Sequence, residues 1–432
     1  MKTLILAGGA GTRLAPLTSN IPKPMLPIGG KPTIEHVIEN LKGAGLQDFI
    51  IVVGYKKDQI MDFLGNGYDF GCNIEYIEQK RIENIEAAIL CAKKTLEEES
   101  EFLISHADIF TEPELIKRAI KQYNELEADG IVSVTLVDDP SFYGIVDLYP
   151  DAKIKRIIEK PAKGKEPSNF AAAGIYIFRP ELLKQLSEDK KLDRAIDNII
   201  EKNGNIYASV WEKDWVEIRF PWDLLKANEY VLEKEVKGKG VRISESAKIS
   251  EKAIIRGPVI ISDNVEIRSG ALVRGPCFIG ENVFIGNNCL IRTNSTIDKN
   301  CSIGFGVEIR NSILFEGTAI GRLSFIGDSV IGKNVEFRAG ISTSNLPFDK
   351  RLKEIKETGN IKMNLDGQEV TIPIEKFGAM IGDNVLISNN VSINAGKKIG
   401  ENSIIMPNIL IDQDIESNTI VTSVHKLDIK PK

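Results

Sequence analysis

An excess of positive charge is the first thing this sequence lacks. Its 432 residues carry 55 Lys and Arg against 61 Asp and Glu, a formal net charge of −6. This balance argues against general nucleic-acid binding, which needs a basic surface to displace counterions. Long apolar runs are missing as well. No stretch approaches the roughly 18 residues of a membrane span, so no membrane partner is expected. The apolar start MKTLILAGGAG breaks into glycines within a few residues. It reads as a buried strand, since a signal peptide needs a longer apolar core and a small-residue cleavage site. Histidine is scarce: His36, His106 and His425 are all there is, which leaves little room for histidine chemistry. The five cysteines include no CxxC pair. Sulfur-based metal binding is thereby disfavoured, and an odd count without a secretory signal points to a reducing cytoplasm.

What is present divides into two halves with different periods. In the first, short apolar runs at residues 3–6, 48–53, 73–78, 101–104, 131–137 and 174–178 read as strands. Amphipathic stretches at 33–44, 57–64, 85–96 and 113–125 read as helices. Alternating β and α elements predict a mainly parallel sheet covered on both faces. Ligands of such sheets bind beyond the carboxyl ends of the strands.

After a helix over 223–236 and the turn Gly238-Lys239-Gly240, an aliphatic residue recurs every sixth position, from Ile243 through Ile249, Ile255, Ile261 and Ile267 to Ile309. It resumes from Ile381 to Ile411. A six-residue period is that of a parallel β-helix, whose inward position cannot slip. Two residues ahead of it runs a second, small inward slot that includes Ala253, Val265, Ala271, Cys277, Cys289 and Cys301. The three cysteines are therefore expected to be core residues and not a thiol cluster. The rule lapses near 342–376, a polar stretch expected to protrude as an arm. The domains implied are 1–228, a linker at 229–240, and 241–432.

Directly after the first strand comes Leu6-Ala7-Gly8-Gly9-Ala10-Gly11-Thr12-Arg13-Leu14, followed by Pro22-Lys23-Pro24-Met25-Leu26-Pro27. Glycines let the backbone approach a polyphosphate and turn N–H groups toward its oxygens, while Arg13 and Lys23 supply fixed positive charge. The loop lacks the Gly-Lys-Ser/Thr ending of a Walker A sequence. The string GGAGTRLAPLT…IPKPMLPIGGKP resembles the signature of sugar-1-phosphate nucleotidyltransferases. With its hexapeptide tail, the whole chain resembles the archaeal-type bifunctional sugar-1-phosphate nucleotidyltransferase/acetyltransferases, related to bacterial N-acetylglucosamine-1-phosphate uridyltransferase and glucose-1-phosphate thymidylyltransferase. The fold this resemblance implies is an α/β Rossmann-like nucleotidyltransferase domain followed by a left-handed parallel β-helix. By the same resemblance the protein assembles as a homotrimer or a dimer of trimers.

The resemblance also implies site residues. Ala7, Gly8, Gly9, Gly11, Thr12 and Arg13 would cradle the triphosphate of UTP or dTTP, with Lys23 on its phosphates and Gln79 reading the base. Asp108 would bind Mg²⁺, with Glu217 as a second ligand. Gly144, Glu159, Lys160 and Gly174 would hold the sugar 1-phosphate, Glu159 through hydroxyls and Lys160 through the phosphate. His106, two residues before Asp108, is placed to tune the metal site. On residue type alone Asp108 also suits a strand-end cap, and Glu159 with Lys160 a solvated charge pair worth less than about 1 kcal/mol.

Some positions depart from the family pattern. Asn84-Ile85-Glu86 replaces a Gly-Thr-small segment beside the base, Ala107 replaces a glycine, and Glu217 stands where aspartate is commoner. In the β-helix, Gly321-Arg322-Leu323-Ser324-Phe325-Ile326-Gly327-Asp328 carries arginine in place of a histidine base and phenylalanine in place of tyrosine. Arginine stays protonated at physiological pH and cannot act as a base. Arg310 replaces a lysine, while Asn345 and Asp349 keep the following Asn-x-x-x-Asp. The degenerate acetyltransferase site of Arg310, Arg322, Phe325 and Asn345 predicts a nucleotidyltransferase whose acetyl transfer is lost. A non-catalytic nucleotide- or NDP-sugar-binding regulatory or scaffold subunit and a fully bifunctional enzyme remain the alternatives.

Overall fold

The computed structural model describes residues 1–346 and 361–423. The chain forms two compact units. One comprises Met1–Ala10, Ile21–Met25 and Pro32–Glu217; the other comprises Gly11–Asn20, Leu26–Lys31 and Ile218–Lys432. Among the described residues no helix is long and apolar enough to cross a membrane.

The first unit is built on a nine-stranded sheet. Lys2–Ala7 lies between Asp48–Val53 and Phe102–His106, parallel to both, and Asn73–Glu78 extends the parallel half. The strands alternate as half-buried ribbons must, but with both faces apolar. Leu4, Ile50 and Val52 enter one core; Ile5, Phe49, Ile51 and Val53 enter the other. The helices Ile85–Cys91, Glu181–Asp189 and Leu192–Glu201 cover the first face. Thr33–Gly43, Lys57–Leu64 and Pro113–Glu125 cover the second.

The expectation of a mainly parallel sheet needs correction. Phe170–Phe178 runs antiparallel to both Phe102–His106 and Gly130–Leu136, and Gly144–Leu148 with Ile154–Glu159 forms an antiparallel hairpin. The cause is connectivity: no α-helix separates Gly130–Leu136, Gly144–Leu148, Ile154–Glu159 and Phe170–Phe178 in sequence, and without a crossover such strands pair antiparallel, whereas Ile206–Trp211, which follows two helices, pairs parallel to Gly130–Leu136. The hairpin strands IVDL and IKRIIE mix charge with aliphatic residues, which hid them from a search for apolar runs. The helix read over 85–96 is two, Ile85–Cys91 and Lys93–Leu96.

The second unit contains the left-handed β-helix. Three parallel sheets of eight, nine and eight short strands form its sides. An 18-residue step carries each inward residue onto the next coil, as Val259↔Cys277 and Ile261↔Ile279 show. Asparagines at the corners adopt the left-handed conformation, which their short polar side chains tolerate, and Asn264, Asn282 and Asn300 form a hydrogen-bonded ladder. The expected break after Ile309 is absent. Two five-residue sides shorten the step to 17 residues, giving Ile297↔Leu314, Ile309↔Ile326 and Leu314↔Ile331. The small slot meanwhile turns polar: Ser312, Thr318 and Ser329 are buried and donate to backbone carbonyls. Across one coil the step lengthens to 50 residues, as Ile331↔Ile381, Phe337↔Ile387 and Thr343↔Ile393 show. The described part of that excursion is the hairpin Lys362–Leu365/Gln368–Thr371.

Cys277, Cys289 and Cys301 occupy the small slot as core residues, and all five cysteines are free. Burial pushes the Cys277 and Cys301 thiols up to about 12, which silences their nucleophilicity.

Candidate active site

Four parallel strands end on one edge of the first unit's sheet, and the residues that follow them meet there. Lys2–Ala7 delivers Gly8 and Gly9, Asp48–Val53 delivers Gly54, Asn73–Glu78 delivers Gln79, and Phe102–His106 delivers Asp108. A β-carbon on Gly8 would lie 2.8 Å from Gln79 Oε1, and one on Gly54 would lie 2.7 Å from the Gly8 carbonyl oxygen. Only glycine admits this approach. Gly9, by contrast, faces open space, so its missing side chain leaves room beside the loop. Gln79 is buried; its amide donates to the Asn84 carbonyl at 3.4 Å, beside the Asn84-capped start of the Ile85–Cys91 helix. The segment that departs from the family pattern therefore touches the residue expected to read the base.

Lys23, on the turn Lys23–Met25, forms an ion pair with Asp108 Oδ2. The other carboxylate oxygen, Oδ1, is buried with no hydrogen-bond partner, as is His106 Nε2. The ligand atoms of His106, Asp108 and Glu217 lie within 4.8 Å of one another. An orphaned carboxylate oxygen beside a second carboxylate is costly unless something positive comes between them. This donor set fits a divalent cation.

The residues expected on the sugar side lie in the antiparallel half of the sheet. Gly144 pairs with Glu159 across the hairpin, and a β-carbon there would come 2.9 Å from Glu159 Oε2. Lys160 follows in the left-handed region at φ 46°, unusual for a non-glycine residue. Its N–H donates to the Tyr143 carbonyl at 2.9 Å, and its ammonium lies 3.1 Å from Glu159. That exposed pair contributes under about 1 kcal/mol by itself. Gly174 sits in a bulge of Phe170–Phe178, where the register against Gly130–Leu136 shifts between Ala172 and Tyr176. It has φ +73°, and a β-carbon there would come 2.9 Å from His106 Nδ1 and 2.3 Å from Ile109 Cδ1. Bulges of this kind re-aim side chains beside active sites. Burial raises the Tyr176 phenol above its ordinary value, and the charges of Glu159, Glu217 and Glu86 raise it further. Two aromatics were not anticipated: Trp215 donates to the Ala173 carbonyl at 3.1 Å and sits 5.9 Å from the Tyr143 ring. The signal available was their adjacency in sequence to Gly144 and Glu217.

The remaining loop residues belong to the second unit. Gly11 is left-handed at φ 65° and accepts from Thr18 Oγ1 at 2.9 Å. Thr12 Oγ1 donates to Asp366 Oδ2 at 3.0 Å, and the Arg13 guanidinium lies 5.4 Å from the Phe220 ring centre. In the β-helix, Asp328 is nearly fully buried. It accepts from Asn345 at 2.6 Å and Asn311 at 2.7 Å, with Arg310 Nε at 3.9 Å. The Phe325 ring fills the space over Gly327, where a β-carbon would lie 2.6 Å from its Cζ. Arg310, Phe325 and Asn345 thus share one region. Arg322 is exposed on the turn before that strand, and Asp349 lies outside the described residues.

The nucleotidyl transferase family matches residues 2–234, and the GMPPB C-terminal domain matches residues 273–372. The chain is 40% identical over 439 residues to the "Bifunctional protein GlmU" of Methanococcus maripaludis strain C7, with all of both chains covered. It is 35% identical to the protein of that name in Methanocaldococcus jannaschii, over 98% of this chain and 97% of the relative. It is 32% identical to a "Bifunctional sugar-1-phosphate nucleotidylyltransferase/acetyltransferase" of Sulfurisphaera tokodaii, over 96% and 98%.

Proposed function

This chain belongs to the nucleotidyl transferase family and is a sugar-1-phosphate nucleotidyltransferase; from that premise we propose which residues act and on what. A phosphate oxygen of the sugar 1-phosphate attacks the α-phosphorus of a uridine or thymidine triphosphate. The bond from that phosphorus to the β-phosphate oxygen breaks, pyrophosphate leaves, and the NDP-sugar remains. Little covalent chemistry falls to the protein, which acts by position and charge. Ala7, Gly8, Gly9, Gly11 and Thr12 cradle the triphosphate, Arg13 and Lys23 hold the departing phosphates, and Gln79 reads the base. Gly144, Glu159 and Gly174 line the sugar, and Lys160 holds its phosphate. Asp108 and Glu217 would hold Mg²⁺, which would supply positive charge against the phosphates.

The observation that carries this reading is the Lys23–Asp108–Glu217 cluster with its orphaned Asp108 Oδ1. A chain retained only for binding would have no need to keep so costly an arrangement. Mass-spectrometric detection of an NDP-sugar from one triphosphate and one sugar 1-phosphate tests the reading, and its absence across all common pairs contradicts it.

The β-helix, in our reading, serves assembly into trimers and no longer transfers acetyl groups. Arg322 offers no base, and Phe325 offers no hydroxyl. Transfer of acetyl from acetyl-CoA to an amino-sugar phosphate would contradict this.

A further inference from the structure

We propose that His106 is a third ligand of the Asp108–Glu217 metal site and turns its preference from magnesium toward manganese and cobalt. The inference rests on the assignment of Asp108 and Glu217 made above, and its test separates the two.

Four observations carry it. His106 ends the Phe102–His106 strand, so Asp108 follows it within one turn of chain. One nitrogen of its imidazole lies within 4.8 Å of both carboxylates. Nδ1 is 3.7 Å from Glu217 Oε1, too far for a hydrogen bond, so this carboxylate does not satisfy the ring. Nε2 is buried without a partner, as is Asp108 Oδ1. A cation held by Asp108, Glu217 and one imidazole nitrogen would meet the unmet demand of Asp108 Oδ1, and that of the ring as well where Nε2 is the ligand.

The ring is also held in place. It lies 6.0 Å from the Tyr176 ring and against the α-carbon of Gly174, where a β-carbon would press on Nδ1 at 2.9 Å. A bulge opened by a left-handed glycine makes room for an imidazole beside two carboxylates.

The chemistry follows from ligand softness. Magnesium favours an all-oxygen shell and keeps several waters, whereas imidazole suits later first-row metals. Replacing one water by imidazole gains little for magnesium. For manganese and cobalt it gains more, following the order of divalent affinities.

The test uses the full chain without substrates. Cobalt is titrated by its visible absorption, and magnesium by competition. The wild type is expected to bind cobalt at least about 10-fold more tightly than magnesium. His106→Gln is expected to weaken cobalt about 10-fold or more while changing magnesium less than about 3-fold. Pulsed EPR of manganese on the wild type is expected to show coupling to an imidazole nitrogen, and it needs no variant to fold. Absence of that coupling, or unchanged cobalt affinity in His106→Gln, overturns the role of His106. If Asp108→Ala abolishes cobalt binding in that case, the carboxylate site still stands. If Asp108→Ala binds cobalt as the wild type does, the site assignment falls, and this inference with it.

Discussion

Gly174 shows most plainly what a single residue contributes. It holds a left-handed conformation inside a strand and leaves the space that His106 and Ile109 occupy. Gly174→Ala adds strain of about 1–2 kcal/mol and pushes the His106 ring. We expect kcat to fall about 10-fold or more, because displacements near 1 Å at reacting groups are that costly, while the far-UV circular dichroism stays native. Wild-type turnover in this variant would show that the ring position is irrelevant. In the sequence the loop glycines and Lys23 draw notice by residue type, whereas Asp108 is singled out only through the family resemblance. Tyr143 and Trp215 are marked by neither. Aromatic residues serve cores and sites alike, and only the hydrogen bond to Ala173 and the ring contact place them at the site.

Among elements, the β-helix shows how far a period can be read. The hexad was clear while the inward residues were Ile and Val and each side had six residues. It faded after Ile309 because two sides lose a residue and the small slot fills with Ser and Thr. A search for apolar spacing cannot see a hydroxyl that satisfies itself on the backbone. The antiparallel hairpin over 144–159 was hidden for a related reason, its solvent-facing charges. The helix Pro221–Val231 ties into the same unit through Asn228. Its fully buried amide accepts from Gly29 N–H at 3.1 Å and Thr296 Oγ1 at 2.6 Å, and donates to the Asn294 carbonyl at 2.9 Å. Asn228→Ala leaves those buried groups unsatisfied, and we expect it to destabilise the unit by about 2–4 kcal/mol in urea unfolding. A loss below about 0.5 kcal/mol would mean the network contributes no net stability.

For the molecule as a whole, contacts between distant stretches of chain are the least legible feature. A reading along the chain keeps the signature loop entire within an N-terminal domain. The structure instead groups Gly11–Asn20 and Leu26–Lys31 with the β-helix unit. Thr12 bonds to Asp366, Asn20 donates to Asp383 at 3.1 Å, and Gly30 leaves room for the Phe278 ring. These contacts join residues hundreds of positions apart, and no local pattern announces them. A chain cut after residue 240 loses the partners of those loop segments. We expect such a fragment to retain less than about a tenth of the full-length turnover, given how steeply rate depends on positioning, with a lower melting temperature. Full activity in the fragment would show that the loop holds its geometry without the β-helix.

The central claim is that the Asp108 cluster performs nucleotidyl transfer, and pyrophosphate release tests it most directly. The full chain is assayed with a divalent cation across a matrix of nucleoside triphosphates and sugar 1-phosphates, with Asp108→Ala alongside. Turnover with a uridine or thymidine triphosphate, reduced at least about 100-fold in the variant, is the predicted result. No pyrophosphate with any pair, or equal release by Asp108→Ala, would contradict it.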